Sequence, residues 1–134
     1  MMAFCPDCWS GIENNPATCR KCGARIDIYS HEFEQRLVSL LPHSHAERRA
    51  EICLVLGQRE KRSAVPHLVE VLADPEPLVR VAALRALSQI GDRSAVPAIQ
   101  KVAERDNSAI RSFAKQVLST LGAHASKQRP VTRA

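Results

Sequence analysis

Two Cys-x-x-Cys pairs lie close together near the start of the sequence. Cys5 and Cys8 form the first pair, Cys19 and Cys22 form the second, and ten residues separate them. A structural zinc ion takes four sulfur or nitrogen ligands in a tetrahedron, and each Cys-x-x-Cys turn presents two sulfurs on one side of the backbone. The spacing therefore predicts one metal ion held by Cys5, Cys8, Cys19 and Cys22.

The predicted ion is structural, because four thiolates leave no coordination position for a substrate. We expect zinc rather than the iron of a rubredoxin-like site, and metal binding rather than reversible disulfides or simple thiols. Residues 1–29 contain too few apolar side chains to form a core of their own. Folding of this segment and metal binding are therefore expected to be a single event.

The run CRKCGARI, residues 19–26, resembles the second knuckle of a zinc ribbon. The first knuckle departs from that pattern, since Trp9 follows Cys8 where the second has Gly23 after Cys22. The resemblance implies a small zinc ribbon over residues 1–29.

A 31-residue repeat occupies most of the remaining sequence. The run RSAVP occurs at residues 62–66 and again at 93–97, and the same offset relates Leu68 to Ile99 and Gly91 to Gly122. Similarity at a fixed period of this length is typical of stacked repeats. Apolar spacing predicts two helices in each unit. The first helices are predicted over residues 31–41, 64–73 and 95–105, and the second over 44–56, 76–90 and 107–121.

Capping signals agree with these helices. Ser44 to Glu47 reads as a capping box at the start of a helix. Gly57, Gly91 and Gly122 fall where helix C-termini favour a left-handed residue.

The run LVRVAALRALSQIGDRSAVP, residues 78–97, resembles HEAT repeats of the short, phycobilin-lyase-like type, and the resemblance covers residues 31–122. It implies a mainly α fold, a short α-solenoid of three stacked helix pairs preceded by the small zinc-ribbon module. We divide the chain into a zinc ribbon (1–29), a repeat solenoid (30–122) and a disordered basic tail (123–134). We also expect the ribbon to cap the first helix pair.

Arginines recur in register at Arg80 and Arg111, and Arg49 extends the row. They predict either a structural ladder of hydrogen bonds to neighbouring carboxylates or a stripe that binds an anion or a partner. Cys53 lies on an apolar stripe and is expected in the core. His31-Glu32 is the sole His-Glu pair of the sequence, whereas di-iron hydroxylases built from such repeats carry several in symmetric positions, so we interpret it as a solvated helix start.

The formal net charge of +5 does not indicate a strong nucleic-acid surface. Acidic and basic residues nearly cancel before residue 123, and much of the excess lies in the tail. Arg20, Lys21 and Arg25 stand beside the cysteines, where we expect them to compensate thiolate charge. Nucleic-acid binding through the ribbon and the tail is the second hypothesis.

No phosphate-binding loop, metalloprotease motif or nucleophile elbow occurs in the sequence. We therefore expect a non-enzymatic zinc-binding adaptor or scaffold that binds a partner protein or peptide, with homo-oligomerisation also possible; a lyase-like enzyme or enzyme subunit is the third hypothesis. Neither a membrane span nor a secretory signal is predicted, so we expect a cytoplasmic protein.

Overall fold

A computed structural model describes residues 3–14, 16–28 and 30–128, with the backbone alone for Ala3 and residues 123–128. Two short antiparallel strands begin the chain, β1 (Ala3–Phe4) and β2 (Gly11–Ile12). The helices of the described residues are α1 (His31–Leu40), α2 (Ala46–Gln58), α3 (Val65–Val71), α4 (Pro77–Ile90), α5 (Val96–Arg105) and α6 (Ser108–Gln128).

The helices form three consecutive pairs, α1 with α2, α3 with α4, and α5 with α6. The second helices of the pairs lie side by side, with α4 packed between α2 and α6. Aliphatic residues at helical spacing fill the space between them, which is why each helix buries one face. The largest fully buried side chains are Leu37, Ile52, Leu56, Leu68, Leu84, Leu87, Ile99, Leu121 and Val79. The predicted mainly α solenoid of three stacked helix pairs is confirmed.

The three glycines predicted to end helices behave differently from one another. Gly91 does end α4 in the left-handed conformation, with φ 74°. Gly57 lies inside α2 instead, where α4 passes so close that a β-carbon would stand 2.6 Å from the Ala86 Cα, so the position favours glycine. Gly122 lies inside α6.

The predicted capping box at Ser44 is wrong. The N-cap of α2 is His45, whose Nδ1 accepts the Arg48 N–H at 3.4 Å. Ser44 instead donates its hydroxyl to the Leu40 carbonyl at 2.7 Å. It therefore provides a hydrogen bond to a carbonyl at the end of α1 rather than to an N–H at the start of α2.

The last helix continues to Gln128, six residues beyond the predicted end of the repeats at Gly122. Residues 129–134, the rest of the predicted basic tail, lie outside the described residues. Within the described part of the chain, no helix combines the length and the apolar character that crossing a bilayer requires.

Candidate metal centre

The two Cys-x-x-Cys segments fold into turns with matching hydrogen bonds. The Cys5 carbonyl accepts the Trp9 N–H at 2.8 Å, and the Cys19 carbonyl accepts the Gly23 N–H at 2.9 Å. A short antiparallel pairing flanks each turn, β1 with β2 around the first and a Thr18–Arg25 bridge around the second. Each turn therefore aims two sulfurs at the same point. We call residues 3–28 the metal ribbon.

The four predicted ligands do come together. The Sγ atoms of Cys5, Cys8, Cys19 and Cys22 all lie within 4.8 Å of one another. The Cys5–Cys22 sulfurs are 3.7 Å apart and the Cys8–Cys19 sulfurs are 3.6 Å apart. A tetrahedral ion with metal–sulfur bonds of 2.3 Å requires sulfurs about 3.8 Å apart. The cluster therefore matches the size of a four-thiolate site and can hold a metal ion.

The thiols of the cluster differ in how readily they ionise. The Ser10 hydroxyl, followed by the backbone N–H groups of Cys22 and Lys21, lowers the pKa of Cys19 to about 6. The Ala24 backbone N–H lowers the pKa of Cys22, but burial and the three neighbouring thiols outweigh it and raise that pKa to about 12. One thiol thus ionises readily while another resists, and a bound divalent cation would stabilise all four as thiolates.

Trp9 occupies the position that Gly23 holds in the second turn, and it adopts the same left-handed backbone, with φ 62° against 79°. A bulky side chain in this conformation costs conformational energy. Its ring stacks on Phe4, with the centroids 5.1 Å apart and the planes 7° from parallel. The first turn therefore keeps the geometry of a glycine turn although it carries a tryptophan.

Trp9 also attaches the metal ribbon to the helices. Its Nε1–H donates to Glu51 Oε2 on α2 at 2.8 Å, and the Arg48 guanidinium lies 4.8 Å from the centre of its ring. Asp7 forms an ion pair with Arg36 of α1. The ribbon lies against the first helix pair, as the sequence predicts.

The arginine row has a structural role at two of its three positions. Arg49 donates to both carboxylate oxygens of Asp74, at 2.8 and 3.0 Å, and Arg80 donates to both of Asp106, at 2.7 and 2.8 Å. Each pair joins the second helix of one unit to the end of the first helix of the next. We call these two pairs the arginine ladder. Arg111, in register with Arg49 and Arg80, is exposed.

Cys53 is fully buried in the stack, as expected, and burial raises the pKa of its thiol to about 12. His31 and Glu32 are exposed at the start of α1. Among the described residues, the four cysteines are the one group of three or more His, Cys, Asp or Glu side chains placed to bind a metal. Arg20 and Lys21 are exposed beside this group.

Glu34 is a buried polar residue that the sequence prediction missed. Its side chain is 2% exposed, Oε1 accepts the Ser63 hydroxyl, and Oε2 has no hydrogen-bond partner among the described residues. The repeat offset aligns Glu34 with Val65 and Val96. A glutamate at a position where the other two repeats have valine was the sequence signal that could have identified it.

Comparison with known proteins finds a matching family model and similar solved structures. Residues 34–119 match the family model described as HEAT repeats. The structure of human deoxyhypusine hydroxylase in complex with glycerol is similar at 28% sequence identity and a TM-score of 0.64, over 70% of this chain and 33% of that chain. This chain thus corresponds to about a third of that protein. No curated protein matches the sequence.

The expectation that the chain is not an enzyme is wrong. It was based on the absence of known catalytic motifs, but the similar structure is that of an enzyme. A repeat stack of this kind is therefore compatible with catalysis. The resemblance of these repeats to the phycobilin-lyase-like type of HEAT repeat remains a prediction.

Proposed function

The chain belongs to the HEAT-repeat family, and on that basis we propose that it is a scaffold that binds a partner protein through its helical stack. In this proposal one structural zinc ion shapes the metal ribbon. The attachment of Trp9 to Glu51 and Arg48 carries the proposal, because it joins the metal centre to the second helix of the stack. The ribbon shaped by the ion would then form one end of the binding surface instead of a separate module.

Zinc is the metal that we propose for the cluster. Four sulfur ligands in a tetrahedron suit zinc, which has no geometric preference of its own and is held by thiolates in structural sites. Cys5, Cys8, Cys19 and Cys22 would hold the ion, which would supply folding energy and no chemistry. The proposal places the protein in the cytoplasm, where thiols remain reduced.

Exposed helix surfaces support the choice of a protein partner. Stacked repeats offer an extended surface whose side chains vary without disturbing the core. Exposed residues of α4 include Leu78, whose side chain is 57% exposed, and Arg85. A second copy of the chain and a nucleic acid remain alternative partners for the same test.

The test is affinity capture with the full chain from its native cells, followed by cross-linking and metal analysis of the same sample. We expect a stoichiometric protein partner cross-linked to the helices, and one zinc ion per chain. The matched control is Cys19→Ser, which removes a ligand and should release both the ion and the contacts made by the ribbon. Capture of nucleic acid alone, or of no macromolecule, would contradict the scaffold proposal.

An enzymatic function is the second candidate, favoured by the similarity to human deoxyhypusine hydroxylase. The corresponding test is incubation of the chain with a protein that contains deoxyhypusine, read by mass spectrometry for the gain of an oxygen atom. Turnover that persists in Cys19→Ser would place the reaction on the helical stack rather than on the ribbon.

A further inference from the structure

One position of the arginine row has no carboxylate partner among the described residues. Arg49 and Arg80 are each held by an aspartate of the following unit, and their side chains are 20% and 17% exposed. Arg111 occupies the same position in α6 but is exposed, and its guanidinium forms no hydrogen bond or ion pair with the described residues. Within the described part of the chain, the Arg111 guanidinium is therefore exposed and has no carboxylate on it.

The surface around Arg111 is also polar where the corresponding surface of α4 is apolar. The repeat offset aligns Lys115 with Leu84, which is fully buried, and Ser112 with Val81, which is half-buried. Lys115 and Ser112 are both exposed. Arg111 and Lys115 are four residues apart, so they lie on the same face of α6.

This face carries positive charge without nearby compensation from its own helix. The sequence contains no aspartate or glutamate after Asp106, and Asp106 itself is engaged by Arg80. A surface of this charge attracts an acidic partner. We call the surface formed by Arg111, Ser112 and Lys115 the basic end face.

We propose that the basic end face binds an acidic segment of a partner protein, with one carboxylate of that segment on Arg111 as Asp106 is on Arg80. The inference rests on the proposed scaffold function and names the chemistry of the partner. The bidentate geometry favours a carboxylate, because the same fork holds one at both other positions of the row. Lys115 adds a second positive charge for a neighbouring acidic residue.

The test uses fluorescence anisotropy to measure the binding of a labelled dodecapeptide to the full chain. In this peptide aspartate and glutamate alternate with alanine and glycine. The control peptide carries asparagine and glutamine at the acidic positions. We expect the acidic peptide to bind at least about tenfold more tightly than its amide control, and Arg111→Ala to remove about that factor. Arg111→Lys should recover only part of the affinity, since lysine retains the charge without the fork.

Arg93→Ala is the matched control, because Arg93 is also an exposed arginine but belongs to the turn before α5 rather than to α6. It should change the affinity by less than about twofold. Equal effects of Arg111→Ala and Arg93→Ala would overturn the proposal, as would equal binding of the two peptides. Tighter binding of a single-stranded oligonucleotide, unaffected by Arg111→Lys, would also overturn it and would favour a nucleic acid.

The two proposals fail in different ways. If a captured partner binds wild type and Arg111→Ala equally, the end-face inference is wrong and the scaffold function stands. If no protein partner is captured, the scaffold function fails whatever the peptide does.

Discussion

The metal ribbon and the helical stack are stabilised by different means. The ribbon buries few apolar side chains, chiefly Ile12, Ile26 and Ile28, and its turns meet at four sulfurs. Every helix of the stack buries apolar side chains, mostly aliphatic ones, and the arginine ladder adds polar contacts between units. The difference shows how a short segment without a core could cover the end of a solenoid, because an ion bound by the four cysteines would replace the missing apolar burial.

Polar interactions contribute to the contact between the two regions. It includes the Trp9 hydrogen bond to Glu51, the Arg48 contact and the Asp7–Arg36 ion pair. Because the two regions are stabilised by different interactions, we expect a single change to destabilise one region and leave the other folded. The following changes test that expectation.

Metal removal should have the largest effect. A strong chelator, or Cys19→Ser, should unfold residues 3–28 and leave most of the helical content of the stack. Trp9 is the only tryptophan, so its fluorescence reports on the ribbon while far-ultraviolet circular dichroism reports on the helices. Cys53→Ala, which removes the thiol outside the cluster, should retain the metal. Simultaneous loss of both signals would show that the stack depends on the ion.

Gly57→Ala should destabilise the stack and leave the metal bound. The new β-carbon would stand 2.6 Å from the Ala86 Cα, so α2 and α4 must separate, at a cost of about 2 kcal/mol. Gly122→Ala is the control, since a β-carbon there meets no atom within 4 Å. It should stabilise α6 by about 0.5 to 1 kcal/mol, because alanine is the better helix former. Thermal unfolding distinguishes the two, and equal effects would contradict the close approach.

Asp106→Asn should lower the free energy of unfolding by about 2 kcal/mol near neutral pH, because it weakens the arginine ladder. The Arg80 guanidinium holds the pKa of Asp106 below its usual range, chiefly by hydrogen bonding. A lowered folded-state pKa means that the unfolded chain binds the proton more readily, so this stability is present above about pH 4 and is lost as the pH falls through the folded pKa. The free energy of unfolding of the variant should therefore fall less steeply than that of the wild type as the pH is lowered.

Glu104→Gln, at an exposed carboxylate on the same helix end, should leave that acid profile unchanged. Urea unfolding at several pH values provides the measurement. An unchanged acid slope in Asp106→Asn would show that the pair does not stabilise the folded state.

Trp9→Phe and Glu51→Ala should have the smallest effect, with a coupling free energy of about 1 kcal/mol in a double-mutant cycle. Phenylalanine retains a ring that can stack on Phe4 but lacks the Nε1–H donor. The cycle is read from the unfolding of the metal-loaded chain by calorimetry. Strictly additive effects would show that the hydrogen bond does not join the two regions.

The sequence determines much of this structure through patterns that are local or periodic. The spacing of Cys5, Cys8, Cys19 and Cys22 was enough to predict the cluster, and the 31-residue offset was enough to predict the helix pairs. Both succeed because one unit of the pattern fixes the same local geometry each time it occurs.

Features that depend on the neighbouring unit were harder to predict. Gly57 resembles a helix end in sequence, and only the position of α4 explains why a helix carries glycine there. Ser44 has the side chain of an N-cap, but the adjacent end of α1 takes its hydroxyl. Trp9 has a side chain that opposes the left-handed backbone, and its contacts with α2 come from residues about forty positions away. Tertiary packing decided each case.

The close approach at Gly57 makes the first junction of the solenoid different from the second. Removing residues 62–92 would delete one whole period and bring Arg49 opposite Asp106, so the polar contact between units would form again. Gly57 would then face Val117, which the offset aligns with Ala86, and the larger valine would hold the two backbones apart. The units thus match in the charged contact between them but not in the volume of the side chains at their junctions.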